Sequence, residues 1–75
     1  MNQKLPQLKA REVLKRLKRA GFKVKRITDS HYILRHNDGR YAVVPFHQGK
    51  TIKRGTLHGI LEGIKLTIEQ FNQLK

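Results

Sequence analysis

The chain has 75 residues, with 17 Lys and Arg against five Asp and Glu, and its formal net charge is +12 at pH 7. The absence of cysteine excludes disulfides and thiolate metal sites, and no apolar run approaches the roughly 18 residues of a membrane span. We expect a single domain over residues 1–75, without a secretory signal, in the cytoplasm and not at a membrane.

The positive charge is the dominant feature of the composition. It favours a polyanionic partner, which is nucleic acid, an acidic protein or an anionic membrane surface. The alternative is a merely solvated surface, which is less favourable in a small domain because like charges repel one another in the compact state.

The first predicted element is a helix over Pro6–Ala20. Its apolar residues recur with the spacing of one buried stripe: Ala10, Val13, Leu14, Leu17 and Ala20. Basic residues cover the rest, where Glu12 and Arg16 are spaced for a weak surface pair. This basic face either contacts phosphates or is only solvated. Gly21 is the expected C-terminal cap.

A strand is predicted over Phe22–Ile27, where apolar residues alternate with lysines. The alternation fails at Arg26 and Ile27, which indicates a bulge or the end of the strand. A polar turn follows at Thr28-Asp29-Ser30.

A hairpin comes next, with strands at Tyr32–Leu34 and Tyr41–Val44. Asp38-Gly39 predicts a type I′ turn in which both residues have positive φ. Pro45 ends the second strand because it has no N–H to donate. In the simplest pairing, Tyr41 lies opposite His36.

The segment Gln48–Thr56 is predicted to be a loop with two glycines and three cations. Such a loop can bring backbone N–H groups and lysines to a phosphate, although it does not match a P-loop. A second helix begins at Thr56 or just before it, with an apolar stripe at Leu57, Ile60, Leu61 and Ile64. Gly59 and Gly63 weaken that helix and are expected to allow close packing on the sheet. Thr67 and Gln70 form the capping box of a last short helix.

The predicted fold is therefore α+β, in the order α-β-β-β-α followed by a short helix. Two amphipathic helices cover one face of a three-stranded antiparallel sheet and leave the other face open and basic. This architecture resembles the double-stranded-RNA-binding domain.

Four histidines are candidates for proton transfer, because the imidazole pKa lies near 6.5. Cleavage of RNA without metal needs an acid, a base and cations near the phosphate. His58 is expected on the helix surface and His36 at a solvated strand end. His31 and His47 flank the hairpin away from its turn and are expected to share a site. They would hold a metal poorly, since no carboxylate cluster accompanies them. Ser30 and His31 are expected to point to opposite faces of a strand, which argues against an acyl-transfer triad.

Several short motifs together resemble the HicA toxin family over about residues 8 to 74: Gly21-Phe22, Ser30-His31, Asp38-Gly39-Arg40, Pro45-x-His47-x-Gly49, Gly55-Thr56-Leu57 and Ile60-Leu61. The resemblance implies a fold similar to the double-stranded-RNA-binding domain and an mRNA interferase that cleaves mRNA and stops translation. It also implies a HicB-like antitoxin that masks the active site, and a catalytic histidine at His31.

The chain differs from the family in one position of the motif, because Asp29 stands where the family usually has glycine. Aspartate tolerates turns. Its charge either opposes an RNA phosphate or orients an imidazole and raises its pKa.

Three functions remain open at this point. The first is a metal-independent endoribonuclease with His31 as general acid or base and no cofactor. The expected RNA-binding residues lie on the open sheet face and in the basic loop: Lys23, Lys25, Arg35, His47, Lys50, Lys53 and Arg54. The second is a non-catalytic RNA- or DNA-binding module, and the third is a protein whose basic surface docks an acidic partner.

Overall fold

A computed structural model describes residues 5–47 and 49–74; the two ends of the predicted domain and Gln48 of the predicted loop lie outside the described residues. The elements in chain order are β1 Leu8–Lys9, α1 Ala10–Arg19, β2 Lys23–Ile27, β3 His31–Arg35, β4 Tyr41–Pro45, β5 Thr51–Ile52, α2 Arg54–Gly63 and α3 Ile68–Asn72. This order confirms the predicted α+β fold, with β2, β3 and β4 as the three-stranded antiparallel sheet.

The first helix begins at Ala10, so the predicted start at Pro6 is wrong. Leu8 and Lys9 are extended and pair antiparallel with Ile52 and Thr51. Their backbone groups are satisfied by β5, and this long-range pairing outweighs the helical pattern of the local sequence. The N-terminal segment and the loop before α2 are thereby tied together.

The end of α1 matches the prediction. Gly21 has a φ of +102°, and the N–H groups of Gly21 and Phe22 donate to the carbonyls of Lys18 and Leu17. This is the Schellman arrangement, in which a left-handed glycine satisfies the last carbonyls of the helix. It turns the chain directly into β2.

The register of the sheet differs from the prediction by one residue. Arg35 pairs with Tyr41 and His31 pairs with Pro45, rather than His36 with Tyr41. Of Asp38 and Gly39 only Gly39 has a positive φ, +97°, so the predicted type I′ turn is wrong. The connection is longer: the Gly39 N–H donates to the His36 carbonyl, and the His36 N–H donates to the Arg40 carbonyl.

The predicted irregularity in the first long strand is a bulge. Val24 pairs with Leu34, but the next pair is Arg26 with Ile33, which leaves Lys25 as the extra residue. A bulge inserts one residue and changes which side chains follow on each face of the sheet.

The core lies on one side of the sheet, where α1 and α2 pack. It contains buried residues from both helices and from alternate strand positions, such as Leu17, Leu57, Leu34, Ala42 and Val44. Arg16 is only 6% exposed, with its guanidinium 5.0 Å from the Phe71 ring centroid. Its Nε lies 3.1 Å from Glu12 Oε2, so this predicted pair forms but on a largely buried arginine rather than at the surface.

The C-terminal helices agree with the predicted stripes and capping box. Leu57, Leu61, Ile64 and Phe71 are buried, and the Thr67 and Gln70 side chains each accept from the other's backbone N–H. The expectation that Gly59 and Gly63 allow close packing on the sheet is wrong. A Cβ at either position would meet no atom within 4 Å, because both glycines border an open groove beside β4.

Candidate active site and nucleic-acid surface

His31 is the first residue of β3 and its side chain is exposed. Its carbonyl accepts from the Thr28 N–H at 2.9 Å and from the Thr28 hydroxyl at 3.3 Å. The preceding carbonyl, that of Ser30, accepts from the Phe46 N–H at 2.7 Å. These bonds fix the backbone on both sides of the residue, so the imidazole stands on a well-held strand end.

The Ser30 hydroxyl lies 3.2 Å from His31 Nδ1. The expectation that these side chains point apart is therefore wrong, because Ser30 lies in the bend before β3 and not within the strand. A hydrogen bond at Nδ1 orients the ring and leaves Nε2 for another partner. Asp29 is exposed and does not take this position beside the imidazole.

The sheet face turned away from the helices, which we call the outer face, is identified by its alternation with the buried Leu34, Ala42 and Val44. It is composed of Lys23, Arg26, His31, Ile33, Arg35, Tyr41, Val43 and Pro45. Two predicted RNA-binding residues, Lys23 and Arg35, are a cross-strand pair there, and both are exposed.

Arg26 also lies on the outer face, although it was not among the predicted RNA-binding residues. Arg26 pairs with Ile33, two positions along β3 from His31. Diagonal neighbours of this kind are about 7–8 Å apart, within reach of a long side chain. Lys25 is the extra residue of the bulge. The broken alternation at Arg26-Ile27 was the signal that could have placed Arg26 on this face.

A second basic surface lies next to the end of β4. His47, Lys50 and Lys53 line one depression of about 330 Å³ together with Pro45 and Thr56. Because Pro45 is the cross-strand partner of His31, this depression borders the histidine's end of the sheet. The structure therefore brings three of the predicted RNA-binding residues together.

The loop that carries these cations is held in place by the rest of the chain. Gly49 has a φ of +79°, and the Lys50 N–H donates to the His47 carbonyl at 3.0 Å. Arg54 Nε donates to the Leu5 carbonyl at 2.9 Å. Arg54 therefore helps to fix the N-terminal segment through its Nε, and its part in RNA binding stays a prediction.

The other histidines have different surroundings. His31 lies opposite Pro45, two residues before His47 in the chain, and the shared site of the two histidines stays a prediction. His58 is on the surface as expected, with Nδ1 3.3 Å from Glu62 Oε1.

His36 is half-buried, and the prediction of a solvated strand end is wrong. Its ring packs edge-on against Phe22 with centroids 5.1 Å apart, and its Nδ1 accepts from the Asp38 N–H at 3.1 Å. The Arg40 backbone N–H donates to Asp38, and this bond, aided by the Arg40 guanidinium, holds the pKa of the Asp38 carboxyl below its usual value. Arg40 also donates to the Ile64 carbonyl at 2.6 Å. His36 thus belongs to a network that joins the hairpin turn to α2.

Comparison with known families agrees with this geometry. Residues 10–66 of the 75-residue chain match the sequence model described as the HicA toxin of bacterial toxin-antitoxin systems. The chain belongs to the HicA toxin family. No curated protein matches it. As a member of this family, the protein is a toxin of a toxin-antitoxin system, whose partner is an antitoxin.

The described part of the toxin has two further properties. None of its helices is long and apolar enough to cross a membrane. Within residues 5–47 and 49–74, no three His, Asp or Glu side chains are grouped where they would hold a metal ion.

Proposed function

We propose that this toxin is a metal-independent endoribonuclease, an mRNA interferase that cleaves mRNA and arrests translation, with His31 as its catalytic residue. The observation that carries the proposal is the exposed imidazole at the end of β3, hydrogen-bonded at Nδ1 to Ser30. An imidazole held in this way is suited to move a proton through Nε2 to or from an RNA oxygen.

The cations around His31 support the binding of a polyanion. Arg26, Lys23 and Arg35 stand on the outer face, and Lys50 and Lys53 stand in the neighbouring depression. Each phosphate of single-stranded RNA that a lysine or arginine neutralises adds to the affinity for RNA, and this part of the affinity falls as the salt concentration rises. The same charges stabilise the additional negative charge that develops on the phosphate during cleavage.

An antitoxin partner follows from the family, and its charge follows from the chain. A formal charge of +12 favours an acidic partner. We propose a HicB-like antitoxin that covers the outer face and masks His31 in the cytoplasm. An exposed catalytic side chain on an open face is easily blocked by such contact.

The second candidate is a non-catalytic RNA-binding module. It is favoured by the same basic outer face, which binds phosphates with or without proton transfer. The two candidates differ in whether the imidazole of His31 is required.

Cleavage of a long single-stranded RNA in EDTA distinguishes the two, with wild type, His31→Ala and His58→Ala compared. His58 is the matched control, because it is also an exposed histidine with a hydrogen-bonding neighbour. We expect wild type and His58→Ala to cleave, and His31→Ala to be slower by about 10²–10⁴-fold with nearly unchanged RNA affinity.

Other outcomes have definite meanings. Binding without cleavage by all three proteins would favour the binding module. Equal cleavage by wild type and His31→Ala would refute the role of His31.

A further inference from the structure

A groove separate from the outer face lies between α1 and the end of the hairpin. It has a volume of about 630 Å³, within the range of roughly 300–1,000 Å³ that small-molecule sites occupy. Its lining is Arg11, Leu14, Lys15, Lys18, Arg19, Tyr32 and Phe46. We call this the α1 groove.

The α1 groove combines an aromatic wall with a basic rim. The rings of Tyr32 and Phe46 are tilted by 32° with their centroids 5.1 Å apart, and both are only partly buried. Arg11, Lys15 and Lys18 on α1 are exposed, and none of the residues that line the groove is acidic. Rings beside cations suit a nucleotide, whose base stacks on an aromatic side chain while its phosphates pair with Lys and Arg.

The groove lies at the same end of the sheet as His31. Tyr32 follows His31 in β3 but lies on the core-facing side with Leu34. Phe46 follows Pro45, the cross-strand partner of His31, and donates its N–H to the Ser30 carbonyl. The groove and His31 therefore lie at the same end of the sheet, with the lining residue Tyr32 adjacent to His31 in the chain.

We propose that the α1 groove binds one unpaired base of the RNA substrate next to the nucleotide at His31. The base stacks on the Tyr32–Phe46 pair, and its flanking phosphates lie against Arg11, Lys15 and Lys18. This inference rests on the proposed function in naming RNA as the ligand. It requires single-stranded RNA there, because a base within a duplex is not free to stack on a side chain.

The test uses the His31→Ala protein, so that the RNA stays intact, and short oligouridylates that carry 2-aminopurine at successive positions. Stacking on an aromatic side chain quenches 2-aminopurine fluorescence. We expect quenching at one position of the RNA. Tyr32→Leu or Phe46→Leu, which keep an apolar side chain, should abolish it and weaken binding by roughly 5–150-fold without changing the salt slope.

Two controls make the test specific. Tyr41→Leu removes an aromatic side chain that is 62% exposed and pairs with Arg35, at the end of β3 away from His31 and the groove, so quenching at the groove position should persist. Lys15→Ala should retain quenching but reduce the slope of log affinity against log salt by about 0.7. Lys65→Gln, beyond the end of α2, should change neither the quenching nor the slope. The charge variants change exposed side chains and remain informative if an aromatic variant fails to fold.

Quenching that survives in Tyr32→Leu and Phe46→Leu, or that is lost only in Tyr41→Leu, would overturn the proposal. An unchanged salt slope in Lys15→Ala would do the same. Failure of the ribonuclease is distinguishable from these results, because wild type would then not cleave RNA while quenching in the groove was still observed.

Discussion

Replacing Gly21 by alanine tests the junction between α1 and the sheet. Gly21 has a φ of +102°, and a Cβ there would lie 2.7 Å from Nε2 of His36. The His36 ring is held by the Asp38 N–H and by the edge of Phe22. The new methyl group would therefore displace the His36 ring from its contacts with Asp38 and Phe22.

The expected cost has two parts. An L side chain in left-handed backbone costs about 1–2 kcal/mol, and displacement of His36 forfeits a hydrogen bond worth about 0.5–1.5 kcal/mol. Gly21→Ala should thus lower the free energy of unfolding by roughly 1.5–3.5 kcal/mol, a large share of a total near 5 kcal/mol. The expected fall in Tm is roughly 10–20 °C for a domain of this size.

Gly39→Ala is the matched control, because Gly39 has a similar φ of +97° but no atom within 4 Å of a Cβ. It should cost only the backbone part, about 1–2 kcal/mol. Urea unfolding followed by circular dichroism measures both, with His36→Ala and the Gly21→Ala/His36→Ala double variant completing the cycle. Equal losses for Gly21→Ala and Gly39→Ala, or no coupling between Gly21 and His36, would refute the reasoning.

Two further predictions concern charge. Arg26→Ala should reduce the salt slope of single-stranded RNA binding by about 0.7, whereas Lys65→Gln should leave that slope unchanged. A fluorescence titration at several salt concentrations measures both slopes. Equal slopes for the two variants would contradict the assignment of Arg26 to the RNA surface. The pKa of Asp38 is lowered in the folded state, so its contribution to stability is present above the ordinary pKa of 3.8 and is lost as pH falls through the lowered folded value. When the pH is lowered from neutral to below 3.8, the free energy of unfolding of Asp38→Asn should therefore fall less than that of wild type, as measured by urea unfolding. An identical fall for the two proteins would disprove this.

The sequence predicted those features that depend on local periodicity and local chemistry. The stripe of α1 that includes Leu14 and Leu17, the left-handed Gly21 and the Thr67–Gln70 capping box all appear as expected. In each case residues a few positions apart settle the conformation among themselves, by burying one helical face or by bonding to nearby backbone groups. The three strands and their order follow from the same kind of signal.

These local patterns did not predict the pairing between segments that are far apart in the chain. Leu8 and Lys9 are extended because β5 satisfies their backbone groups. The hairpin register moved by one residue because a longer turn, closed by His36, replaced the two-residue turn. Each outcome depends on partners that lie far along the chain or on the geometry of a turn.

The candidate site shows the same division. His31 was identified from its motif, but its hydrogen bond to Ser30 depends on the bend that precedes β3. The bulge in β2 places Arg26, together with Lys23, on the outer face. The sequence by itself determined the fold class and the basic charge and made His31 the candidate catalytic residue, since these follow from composition and short motifs. Only the tertiary structure decided which cations face the same surface as that histidine, because a single inserted residue in a strand changes the face of every side chain beyond it.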